Sequence, residues 1–145
     1  MKKLFLISAV LMMFTASFVF AGTPDAILGE WVTEGDKSFV DIYKCDELYC
    51  GKIVWLKNPK DEEGKEKFDK KNPDETMRSR KLLGLPILWG FRYTGDSEWK
   101  EGKIYDPQNG KTYSCKIKLE GEKLKVRGFI GFSLLGRTAI WTKKS

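Results

Sequence analysis

The chain contains no histidine. That removes the commonest general base near neutral pH, the commonest zinc ligand, and every Ser-His or Cys-His nucleophile arrangement. Carboxylates remain, but none is marked as a catalytic pair. Asp106 opens a turn beside Pro107, where its side chain can bond the backbone, and Asp41 falls on the wet face of a strand. The sequence therefore predicts a protein that is not an enzyme, with no catalytic residue; a lipid hydrolase or isomerase using Asp and Tyr is the weakest reading. Asp69, Asn72 and Asp74 are oxygen donors in a short span, but they lack the alternating order and central Gly of a calcium loop. No metal and no cofactor are expected.

Long apolar runs are also missing, apart from one at the start. Lys2 and Lys3 precede an almost wholly apolar stretch from Leu4 to Phe14, and Val19-Phe20-Ala21 puts small residues where a signal peptidase reads. Residues 1–21 are expected to be an export signal cleaved after Ala21. A retained anchor competes, because Leu4 to Ala21 is 18 residues, near the lower limit for a spanning helix. No cysteine follows Ala21, which argues against a lipoprotein tether, and no membrane anchor is expected after cleavage. The expected location is periplasmic or secreted.

Setting aside 21 of 145 residues leaves 124, enough for one domain with a real core. Net charge falls from +6 to +4 with the loss of Lys2 and Lys3. Basic and acidic residues alternate, and there is no dense basic stripe, so no nucleic-acid partner is expected.

Only three cysteines are present: Cys45, Cys50 and Cys115. No Cys-x-x-Cys redox spacing occurs. Cys45 and Cys50 flank Asp46 to Tyr49, and on a hairpin they face each other closely enough for a disulfide in an oxidising compartment. Cys115 alternates with Tyr113, Ile117 and Leu119 and reads as a small buried apolar residue.

What the chain does have is alternation with period two. About eight strands are predicted, near 29–34, 38–45, 50–57, 86–94, 98–105, 111–119, 123–130 and 135–142. Turn chemistry separates them, notably Asp106 to Gly110 and Glu120-Gly121-Glu122. The fold class expected is mainly β, a single antiparallel barrel or sandwich spanning residues 22–145. Lys57 to Glu75 breaks the pattern as a long charged loop, read either as a solvated connection or as a lid over a barrel mouth. Asn72 as cap, Pro73, Glu75 and a terminating Gly84 predict one short helix after it.

Aromatic residues are plentiful. Trp31, Trp55, Trp89, Trp99 and Trp141 stand on or beside predicted strands with Tyr93, Tyr113, Phe91 and Phe129. They serve either as core filler or as the lining of a small-molecule cavity.

Gly29-x-Trp31 on the first strand with Arg137 on the last resembles the lipocalin and broader calycin pattern, in which the Arg packs on the Trp ring at the closed end. The resemblance implies structural roles for Gly29, Trp31 and Arg137. Leu48-Tyr49-Cys50-Gly51-Lys52-Ile53-Val54, Asn72-Pro73-Asp74, Arg80 to Gly84, Trp99 to Pro107, and Val126-Arg127-Gly128 through Gly136-Arg137-Thr138 more closely resemble a family of exported bacterial proteins known only as a domain of unknown function. That resemblance implies a lipocalin-like up-and-down barrel.

The leading expectation is an exported carrier that holds a largely apolar, fatty-acid-like or lipid-like ligand inside the barrel. Its expected site comprises Trp55, Trp89, Phe91, Arg92, Tyr93, Tyr113 and Phe129, with Arg78, Arg80 and Arg92 as candidates to meet an anionic head. The rival is an envelope interaction module with a filled barrel, binding a protein or glycan through Phe132, Leu134 and Leu135.

Overall fold

The computed structural model describes residues 22–132 and 134–145; the predicted signal segment lies outside the described residues. Eight antiparallel strands run β1 (Gly29–Val32), β2 (Ser38–Cys45), β3 (Leu48–Leu56), β4 (Pro86–Gly95), β5 (Glu98–Asp106), β6 (Lys111–Glu120), β7 (Lys123–Phe129) and β8 (Gly136–Lys143). Each pairs with its sequence neighbour, and β8 returns to β1 to close the barrel. Every observed boundary falls within two residues of the sequence expectation. The period-two pattern succeeds because one face of every strand is buried inside the barrel, so a slip of one residue would expose the whole apolar set.

The connections alternate between two ends. At one end lie the β2–β3, β4–β5 and β6–β7 turns together with a 3-10 turn over Pro24–Ile27; at the other lie the Thr33–Lys37 connection, the long segment 57–85, the β5–β6 turn and the β7–β8 turn. The first end is closed. Trp31, Trp99, Phe91, Ile42, Tyr49 and Leu124 are all buried there with Ile27. Gly102 is required beneath Phe91, because a Cβ at that position would collide with the ring.

Four aromatic tips tie the N-terminal segment into this end. Trp31 Nε1 donates to the Ile27 carbonyl at 2.8 Å and Trp99 Nε1 to the Pro24 carbonyl at 3.1 Å. Tyr49 donates to Asp25 at 2.6 Å and Tyr93 to the Gly22 carbonyl at 2.6 Å. Each ring buries its apolar body while its polar tip finds a partner, which is how a buried Trp or Tyr avoids a desolvation cost.

The expected Arg137–Trp31 stack does not form. The β1–β8 register sets Trp31 opposite Lys143, and it is the Lys143 ammonium that lies over the indole, 4.9 Å from its centroid, while donating to the Leu28 carbonyl at 3.1 Å. Arg137 lies six residues earlier on β8, about 20 Å away along a strand, and pairs with Glu34 at 2.6 Å. Gly29 keeps a structural role: its φ of +114° favours glycine, and a Cβ would stand 3.2 Å from the Lys143 ammonium.

Cys45 and Cys50 form a disulfide with a Cα separation of 5.9 Å. They are diagonal rather than directly opposed, since Cys45 pairs with Leu48 and Cys50 with Tyr43. The turn is only Asp46-Glu47, shorter than the sequence pattern indicated.

The expected helix over 72–84 shrinks to a single 3-10 turn, Glu75–Met77. Asp74, not Asn72, caps it, accepting from the Thr76 amide at 3.0 Å. Asn72 is drawn instead into a buried cluster around Asp69, so tertiary contacts override the local capping signal.

Candidate functional site

The second end of the barrel is hollow. A cavity of about 960 Å³ opens between the β-turns and the 57–85 segment, at the upper end of the range of about 300 to 1,000 Å³ for small-molecule sites. Its wall is apolar, formed by Ile53, Leu56, Ile87, Ile104, Val126, Ala139 and Trp141. These positions follow from inward alternation: Ala139 and Trp141 are two apart on β8, and Val126 faces Ala139 across the β7–β8 ladder. Trp141 is the deepest of the β8 lining residues and meets the packed closed half below.

The rim is polar. Lys37, Lys67 and Arg137 line it with Glu34 and Asp106, and Tyr113 receives a hydrogen bond from the Asn109 amide at 2.9 Å. Among the described residues Arg137 is ion-paired to Glu34, whereas Lys37 and Lys67 have no ion pair. A largely apolar molecule with an anionic head would meet both halves of this lining.

The long segment forms one side of the mouth, contributing Asn58, Lys67 and Leu82 to the lining. It is held by Asp69, which is fully buried. The Asp69 carboxylate accepts from Tyr105 at 2.5 Å, from the Asn72 amide at 2.8 Å and from Arg80 at 3.3 Å. Every partner is a donor, so the buried charge is compensated. Tyr105 is pushed up to about 12, chiefly by burial and then by its bond to Asp69, and stays a neutral donor at physiological pH. At the adjacent turn a Cβ on Gly110 would overlap the Lys71 carbonyl, so the segment and the β5–β6 turn are in direct backbone contact.

Of the seven residues expected to line a ligand site, Tyr113 and Phe129 do so. Trp55 lies on the outer face stacked on Phe39, with ring centroids 4.3 Å apart. Trp89 and Arg92 are also outward, Arg92 pairing with Glu101 at 3.1 Å. Phe91 and Tyr93 belong to the packed closed end, Tyr93 tilted against Trp99 at 5.1 Å. The reason is a set of irregularities: the β2–β3 register shifts between Phe39 and Val40, which turns Trp55 outward, Gly90 has φ +76° and Glu101 has φ +64°, and the β5–β6 register shifts between Trp99 and Gly102. A bulge changes which side chains face inward, and alternation read from sequence cannot place it.

The arginines expected at the mouth are occupied elsewhere. Arg80 binds Asp69, and Arg78 donates to the Asn72 carbonyl at 2.7 Å. The cations at the rim are Lys37, Lys67 and Arg137; the sequence reading gave Arg137 a structural place at the closed end and did not single out Lys37 or Lys67. For Arg137 a signal existed, since Gly128 and Arg137 pair on inward positions of two well-marked strands. For Lys37 and Lys67, both in connections, there was none. Asp106 also lines the rim and accepts from the Gln108 amide at 2.8 Å, as its turn position predicted. Asp41 is half-buried on β2.

Residues 29–143 match the model of a bacterial family described as "Uncharacterized protein conserved in bacteria (DUF2147)". The chain belongs to that family. A solved member of the structural neighbourhood is protein HP1028 from Helicobacter pylori, described as belonging to the lipocalin family. It is 25% identical, with a TM-score of 0.70, and the match covers 81% of this chain and 82% of that one. Comparison with curated proteins returned no match. The family region begins at Gly29, so it contains all eight strands and every lining residue of the cavity, while the 3-10 turn that closes the opposite end precedes it.

Proposed function

We propose that this member of the family is an exported carrier that holds a small, largely apolar ligand in the open half of its barrel without transforming it. One observation supports this above the rest: the same eight strands enclose a densely packed half and an apolar cavity of about 960 Å³ with cations at its rim. A barrel of this strand number can be filled entirely by side chains. Here small inward residues, Gly128 and Ala139, stand where larger ones would close the space. The ligand class this favours is fatty-acid-like or lipid-like, its tail against Ile53, Ile104 and Val126 and its head among Lys37, Lys67 and Arg137. The likeness to a lipocalin-family structure supports small-molecule binding in general.

Export to the periplasm or beyond is supported by the signal-like pattern of residues 1–21 and by a disulfide, which persists in oxidising compartments. The absence of catalysis is supported by the lack of histidine.

The test is a titration with cis-parinaric acid, a fluorescent fatty acid. Wild-type protein should show saturable enhancement, and Ala139→Trp, which puts an indole into the cavity, should weaken it about tenfold or more with an undiminished melting temperature. Equal binding by the two proteins would overturn the site. Export is checked separately by the mass of periplasmic protein, expected to be that of Gly22 to Ser145 less two hydrogens for the disulfide.

A further inference from the structure

The most exposed apolar side chains of the barrel are gathered on one turn. Between β7 and β8, Ile130, Phe132, Leu134 and Leu135 are 68%, 78%, 89% and 72% exposed. A large exposed apolar cluster marks a contact site for a protein or a membrane. The base of the turn is fixed: a Cβ on Gly136 would collide with the Gly128 carbonyl, and the Leu135 amide donates to the Phe132 carbonyl at 3.0 Å. Close strand approach below and a tight turn above hold the apolar tip out from the barrel.

Its position identifies what it meets. Ile130 and Leu135 line the cavity, so apolar surface runs without a break from the tip into the mouth. The same rim carries Lys37 and Lys67, which have no ion pair among the described residues; the rim anion Glu34 is taken by Arg137, leaving Asp106 as the opposing charge. The excess on the rim is positive, as is the net charge of the described chain. We propose that the β7–β8 turn docks the mouth of the barrel onto an anionic lipid bilayer, with Phe132 and Leu134 entering the interface. A convex tip suits lipid, which conforms to it, whereas a protein partner needs a matching concavity over about 800 Å² per side. Apolar insertion with nearby cations is the combination that drives interfacial binding. Docking in this orientation sets the cavity mouth against the bilayer surface.

The experiment is co-sedimentation of the purified protein with vesicles of phosphatidylcholine and phosphatidylglycerol. Wild type should partition into the pellet, more weakly as salt rises. The double variant Phe132→Ser, Leu134→Ser, altered only at exposed positions, should lose partitioning about tenfold or more while keeping wild-type cis-parinaric acid binding and melting temperature. Phe132→Trp should show a blue-shifted emission quenched by brominated lipid. The Ala139→Trp variant should still partition, so failure of the carrier reading and failure of this one are separable. Wild type remaining in the supernatant, or equal partitioning of the double variant, would overturn the proposal. So would a wild-type dimer in solution that the double variant abolishes without any vesicle binding, which would assign the tip to a second copy of the chain.

Discussion

The two ends of the barrel are built on the same eight strands and do opposite things. At the closed end Trp31, Trp99, Phe91 and Tyr49 fill the interior and bind the N-terminal segment through their polar tips. At the open end Ala139, Gly128 and Ile53 leave the interior hollow, and the polar groups turn to the rim. Side-chain volume, not strand number, decides which half is core and which is container. A small residue at an inward position means different things at the two ends: Gly102 admits the Phe91 ring, whereas at Gly128 a Cβ would only make ordinary contact with Ile104 and Tyr113 at 3.6 Å, so packing there does not demand glycine.

That contrast is broken most severely at the closed end. Trp99→Ala removes a fully buried indole and the Pro24 anchor together, and it should cost about 3 to 5 kcal/mol in chemical denaturation. Phe129→Ala at the open end should cost less than about 1 kcal/mol, since its partner there is a cavity, while lowering cis-parinaric acid affinity. Comparable losses at both ends would show that the hollow half is packed in solution.

The open end nevertheless has one rigid fixture. Asp69→Ala should destabilise by about 1 to 3 kcal/mol, because it strands the Tyr105 hydroxyl and the Asn72 amide. Hydrogen exchange should then rise across residues 66–82 and remain slow in β6 and β7. Uniform exchange changes would mean that Asp69 supports the barrel rather than its mouth.

Alkali should act on both ends. Tyr49 and Tyr105 are each pushed up to about 12, by burial first and then by Asp25 and Asp69 respectively. The folded state therefore holds these protons more tightly than the unfolded chain, where tyrosine titrates near 10. Their contribution is complete below about pH 10 and is lost as pH rises towards 12. Melting temperature should fall across that window, and less steeply in the Tyr49→Phe, Tyr105→Phe double variant. Identical slopes would refute the assignment.

The smallest effects concern the cysteines. The Cys45–Cys50 bridge closes a loop of only a few residues, so reduction should cost no more than about 2 kcal/mol. Cys115 is buried, and its thiol is pushed up to about 12 by burial alone; native protein should leave it unlabelled by thiol reagents until denaturant is added.

The strands were legible because alternation and Asp-Pro and Gly turns are local signals. The disulfide pair followed from spacing on a hairpin, whereas strand number left barrel and sandwich open and the up-and-down barrel came from the family resemblance. The cavity was only half legible. Tyr113 and Phe129 were found from aromatic content, but Trp55 and Trp89 carry the same signal and lie outside, because a register shift between Phe39 and Val40 turns Trp55 outward and the irregularity at Gly90 does the same for Trp89. Local reading also misjudged Asn72, a strong cap in sequence and a buried ligand of Asp69 in space.

By itself the sequence determined the eight strands, their order and the positions of their turns, since each depends on residues close together in the chain. The tertiary structure alone decided that Lys143 rather than Arg137 covers Trp31, that Lys37 and Lys67 meet at the rim, and that Asp69 reaches Tyr105. Those pairings join residues far apart in sequence, and they are set by barrel register and by loop closure, which no local pattern encodes.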